Sequence, residues 1–151
     1  MKRLLLSSAV AAAVLAVTLP AAAQFRNAEA AIKYRQSVMA VQQHHLGRIF
    51  AMANGRMPFD AAVAASDAAV LDVIDKLPFV AFVDGSDKGD TRALPAIWTE
   101  RAKFDAAAQK MIDDVTKLNA AAKTGNLDQI KTAVGAVAQS CKACHDSYRK
   151  E

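Results

Sequence analysis

Seven residues near the end of the chain, Leu127, Ile130, Val134, Val137, Cys141, Cys144 and Tyr148, recur at alternating steps of three and four. That is the spacing of a helix that turns one seam toward partner helices, and it leaves little room for other folds. The remaining sequence is built to supply the partners. Alanine dominates, with leucine, valine, lysine, glutamine and aspartate between, and strand-like alternation of β-branched residues is missing. The expected fold class is all-α.

Start and stop signals bracket four helices. The first runs from about Ala28 to Ala53, after Asn27 as N-cap, and Asn54-Gly55 ends it. The second follows Asp60 and stops at Pro78, which cannot continue a helix. The third opens with Pro95 in its first turn and runs to about Lys123, ending at Thr124-Gly125. The fourth starts at Asn126, carries Asp128 in its first turn and finishes with Arg149 and Lys150, which suits the helix dipole at both ends. Four helices with mostly short connections predict an antiparallel four-helix bundle. One connection, residues 78–94, is long, apolar and aromatic first and polar later, the kind of loop that covers something at a bundle's edge.

The last helix also carries the chemistry. Cys141-Lys142-Ala143-Cys144-His145 is the C-x-x-C-H pattern of covalent haem attachment. Two thiols three residues apart on a helix match the separation of the haem vinyl groups, and the adjacent histidine presents a ring nitrogen to the iron. A redox dithiol needs its pair at a helix N-terminus beside a βαβ unit; a zinc site needs a fourth ligand, which His44 or His45 could offer, but zinc pairs normally sit on turns; and a disulfide between these positions would strain a helix. Haem c, bonded through Cys141 and Cys144 with His145 as axial ligand, is the expected cofactor.

The chain begins with the pattern of an export signal. Lys2 and Arg3 precede an uncharged run from Leu4 to Leu19, and Pro20-Ala21-Ala22-Ala23 offers a small-residue cleavage site. The run is too short and alanine-rich for a membrane anchor, so residues 1–23 are expected to be cleaved as a secretory signal peptide, leaving residues 24–151 as one domain without a membrane span. Lys2 and Arg3 are two of the 19 basic residues, which leaves 17 against 15 acidic ones, a net of +2. So balanced a charge gives no support to nucleic-acid binding.

Across residues 24–151 the chain resembles the cytochromes c′, class II c-type cytochromes with the attachment motif near the C-terminus. The resemblance is carried by Gln24-Phe25, Lys33-Tyr34-Arg35-Gln36-Ser37, Gly47-Arg48, Pro58-Phe59-Asp60, Leu77-Pro78-Phe79-Val80-Ala81-Phe82, Ile97-Trp98 and the stretch from Cys141 to Arg149. It implies a periplasmic homodimer with one haem per chain, high-spin and five-coordinate, that binds small gases such as NO and CO and takes part in electron transport. Its redox partner proteins are not identified by the sequence.

The resemblance also implies roles for single residues. Met39, which shares a face of the first helix with Ile32, Arg35, Gln42, Leu46 and Ile49, corresponds to the distal position. Two readings fit it. A bulky apolar group crowds the iron without bonding it in cytochromes c′, whereas a methionine there ligates iron in the low-spin cytochrome c556 type of electron carrier. The non-ligating reading is adopted here, because the rest of the chain is closer to the cytochromes c′. Phe79 and Phe82 correspond to aromatic residues of the distal haem pocket, with plain inter-helix packing as the alternative. Arg35 and Gln36 correspond to residues near the haem propionates, although an arginine on a helix is often a solvated charge. Arg149, four residues beyond His145, corresponds to a residue of the proximal pocket and also suits the helix C-terminus. His44 and His45 point about 100° apart and are expected at the surface or a dimer face, not as ligands. An enzyme such as a peroxidase is not expected, since no histidine–arginine pair stands opposite His145.

Overall fold

The computed structural model describes residues 24–151. The expected signal peptide, residues 1–23, lies outside the described residues. Helix α1 spans Ala28–Ala53, and the Asn27 side chain accepts from the Ala30 N–H at 2.8 Å, satisfying one of the free donors of the first turn. Helix α2, Ala61–Ile74, starts on Asp60, whose Oδ1 accepts from the N–H groups of Ala62 and Val63. A 3₁₀ turn at Leu77–Ala81 contains Pro78. Helices α3, Ala96–Thr99, and α4, Arg101–Lys123, follow. Gly125 takes the left-handed conformation (φ 67°) that closes α4. Helix α5, Leu127–Tyr148, is capped by the Asn126 side chain, which accepts from Asp128 and Gln129.

The four long helices close a ring of neighbours: α1 packs on α2 and α5, and α4 packs on α2 and α5. This is the expected bundle. No β-strand occurs among the described residues, and a single bridge joins Ala93 to Arg149. The seam read from the sequence faces inward, with Ile130, Val134, Val137 and Tyr148 buried and Cys141 and Cys144 half-buried. Ile49, Leu71, Val115 and Leu118 meet it in the main core. Each such side chain contributes about 1.5–3 kcal/mol by leaving water. A second cluster of Phe82, Ala93, Ile97, Phe104 and Tyr148 fills the end of the bundle nearest the cysteines.

Polar groups inside the bundle stitch the helices together. Asp67 on α2 accepts from His45 Nδ1 at 2.8 Å and pairs with Arg48 Nε at 3.2 Å on α1. Asp72 on α2 receives Thr116 Oγ1 and Asn119 Nδ2 from α4. Asp114 on α4 is 2 % exposed and pairs with Lys110 and Lys117 of the same helix.

Three local expectations change. The third helix is broken at Glu100 (φ −120°, ψ 40°), which closes α3 and opens α4. The break lets Trp98 Nε1 donate to the Val83 carbonyl and Arg101 Nη1 to the Phe82 carbonyl, so the loop competes successfully with a straight helix. The last helix ends at Tyr148, and Arg149 is extended (φ −129°, ψ 134°) instead of helical. There Leu94 N–H donates to the Tyr148 carbonyl and Lys150 N–H to the Arg92 carbonyl. His44 is exposed as expected, but His45 is half-buried and held by Asp67.

Candidate haem site

One cavity of about 550 Å³ opens between α1, the 3₁₀ turn, α4 and α5. Its size is that of a pocket for a substantial organic ligand. All nine residues singled out from the sequence line it: Arg35, Gln36, Met39, Phe79, Phe82, Cys141, Cys144, His145 and Arg149. They come from three separate segments of the chain, so the fold gathers what the sequence scatters.

Helix α5 brings two thiols and an imidazole to one wall. Burial pushes both thiols up from their ordinary value, and Cys141 is raised further by Cys144 and Asp114. The two form no disulfide with each other. Burial also pulls the His145 imidazole down, helped by the positive charges of Arg149 and Arg92 and opposed by Asp146. A neutral imidazole is the form that can ligate a metal.

Helix α1 contributes Met39, Gln36 and Arg35. Met39 is half-buried and packs against the aromatic cluster. Gln36 is exposed and donates from Nε2 to the Asp90 carbonyl at 2.9 Å. Arg35 is not the solvated charge that a helical arginine often is: it is 2 % exposed. Its Nη1 donates to the Ala81 carbonyl (3.0 Å) and Ser86 Oγ (2.7 Å), and its Nη2 to the Ser86 carbonyl (2.7 Å) and Thr91 Oγ1 (2.9 Å). All four terminal N–H bonds therefore clasp the 81–91 loop against α1. Every acceptor is neutral, and no carboxylate pairs with Arg35 among the described residues. Burial draws this guanidinium down to about 10, which leaves it fully charged at neutral pH. Burying a cation is costly, and here the four hydrogen bonds and the Phe82 ring offset that cost.

Phe79 and Phe82 belong to both readings offered by the sequence. They line the cavity and pack into the cluster, with ring centroids 6.4 Å apart and Phe82 4.9 Å from Phe104. Phe104 in turn meets Tyr148 edge-on at 5.3 Å. Phe104 and Met111 were not singled out as site residues, yet both line the cavity. Their spacing with Ala108, Val115 and Leu118 on α4 is the signal that marks that inner face.

The Cytochrome C' family model matches residues 30–149. The chain belongs to the cytochrome c′ family. A cytochrome c′ from Rubrivivax gelatinosus is 48% identical over 129 residues, which span 85% of this chain and 100% of that protein. Its crystal structure superposes with a TM-score of 0.82, covering 84% of this chain and 100% of that one. The nitric oxide complex of a variant cytochrome c′ from Alcaligenes xylosoxidans superposes at 0.79 with 42% identity, covering 84% of this chain and 99% of that one. Membership of the cytochrome c′ family implies a c-type haem, and the cavity fits one: it offers two thiols and a neutral imidazole on one helix, a mostly apolar interior and the Arg35 cation at its edge.

Proposed function

We propose that this chain is an exported cytochrome c′ that binds NO and CO at a single haem. In this reading Cys141 and Cys144 hold the haem by thioether bonds and His145 ligates its iron. Arg35 and Gln36 lie beside the propionates, whose charge would neutralise the buried guanidinium. When bound, the haem would supply an iron able to bind a small ligand.

The chain's own residues set what reaches that position. Met39, Phe79 and Phe82 exclude water and offer a diatomic ligand an apolar surface. Oxygen gains most from a hydrogen-bond donor beside it, whereas NO and CO tolerate apolar surroundings, so these side chains favour NO and CO. Arg149 lines the same cavity as His145 and lowers its proton affinity, which suits a proximal role. The NO and CO complexes known for variants of the Alcaligenes xylosoxidans protein support gas binding. The leader pattern of residues 1–23 supports export to the periplasm. Homodimerisation, electron transport, and ligand binding instead of enzymatic turnover belong to the same reading by family.

The observation that carries the proposal is the single cavity in which the α5 thiols and imidazole meet Met39 and the aromatic pair. Optical and EPR spectra of the purified haem protein test it. High-spin ferric signals and ready CO binding to the reduced protein are expected. A low-spin spectrum that CO does not perturb would overturn it.

A further inference from the structure

Asp75 caps the C-terminal end of α2 and forms part of the cavity wall, yet it is 2 % exposed. Its Oδ2 has no hydrogen-bond partner. Its backbone carbonyl is reached by Gln42 Nε2 on α1 at 3.3 Å, which fixes the residue in place without touching the carboxyl group. A carboxylate at this position meets two penalties: it is withdrawn from water, and it lies at the negative end of a helix dipole. Buried polar atoms without partners are rare enough in folded proteins to need an explanation.

Within the neighbourhood only Lys76 favours the carboxylate. The charged neighbours are Asp72 on α2, which repels a carboxylate, and Lys76 at the start of the 3₁₀ turn, which attracts it. Helix α1 presents the neutral Gln42, while His45 is engaged by Asp67. The 3₁₀ turn and α4 contribute Phe79, Met111 and Val115 to the lining of the same cavity. Helix α5 contributes Val137, Cys141 and His145, none of which titrates as a free acid once the haem is attached. Arg35, Arg92 and Arg149 are the remaining charges around the cavity. Burial, the largest influence, holds the Asp75 carboxyl above its ordinary value, the Lys76 N–H and charge oppose this, and Asp72 adds to it.

We propose that Asp75 is a redox-linked proton site: it takes up a proton when the haem in this cavity is reduced and releases it on oxidation. The inference rests on the haem reading above. The balance is one electron from an external one-electron reductant, entering at the iron, and up to one proton from solvent, ending on the Asp75 carboxylate. Oxidised iron carries one more positive charge than reduced iron, so it favours the carboxylate form. Losing that charge on reduction raises the proton affinity of a carboxyl that little water screens. The midpoint potential then falls with rising pH between the proton affinities of the two states and is flat outside that window.

Spectroelectrochemical titration of the full haem protein from about pH 5 to 9, around the range a raised carboxyl reaches, reads this directly. The wild type should show a falling potential, and Asp75→Asn should lose that part of the slope while keeping its haem spectrum. A pH-independent wild type, or a slope that survives in Asp75→Asn, overturns the inference alone. A chain that carries no haem band overturns the proposed function and this inference with it. Should Asp75→Asn fail to fold, redox-difference infrared spectra of wild type decide. A protonated-carboxyl band that appears on reduction and shifts with ¹³C-carboxyl aspartate supports the proposal, and its absence overturns it.

Discussion

The guanidinium carbon of Arg35 lies 4.4 Å from the centre of the Phe82 ring, so one cation both stacks on the aromatic cluster and grips the loop behind it. Removing it leaves the Ala81 and Ser86 carbonyls and two hydroxyls without their donor. Arg35→Leu should lower stability by about 2–4 kcal/mol, and Arg35→Lys should recover only part, because an ammonium cannot bond four acceptors in a fork. Urea unfolding gives the magnitude. Hydrogen exchange in residues 82–92 should accelerate well before the bundle opens.

Met39 separates the two precedents for its position. Met39→Leu keeps an apolar group of similar volume, so the high-spin spectrum should remain and CO binding should change modestly. A wild-type low-spin signal that collapses in this variant would instead make Met39 a ligand.

The thiols divide the covalent attachment between them. Cys141→Ser or Cys144→Ser alone should retain haem through acid–acetone extraction, with a shifted optical band from the vinyl group left unreacted. The double variant should lose haem on extraction, as mass spectrometry of the chain would show.

Asp114 gives a pH dependence with a defined sign. Its burial raises its proton affinity, but the hydrogen bond and charge of Lys110, the Ser140 bond and Lys117 outweigh that and hold the carboxyl below its usual value. A group depressed in the folded state stabilises above its unfolded value and loses that contribution as pH falls through the folded one. Lys110 and Lys117 are exposed, so solvent screening limits the gain to about 1 kcal/mol at neutral pH. The stability gap between wild type and Asp114→Asn should therefore close below about pH 4, in urea titrations at several pH values.

Periodicity made the bundle legible. The 3–4 seam on α5 and the capping residues Asn27, Asp60 and Asn126 are local signals, and local physics is what a sequence states openly. The attachment motif was legible for the same reason, being five consecutive residues. What stayed hidden depends on partners distant in the chain. Nothing local distinguishes Arg35 from a surface arginine, because its acceptors lie 46 to 56 residues away. Asp75 reads as a solvated helix end until α1, α4 and the aromatic turn close over it. The break at Glu100 is likewise decided by carbonyls of Phe82 and Val83, which no window around Glu100 contains.

The pairing of Arg149 and Lys150 with residues 92–94 makes the chain's tail a buckle. The long loop is fastened along residues 81–91 by Arg35 and at residues 92–94 by the backbone of Tyr148–Lys150, so the two fastenings adjoin. Removing Arg149 and Lys150 would undo the far fastening. It would loosen a rim that lies some fifty positions upstream.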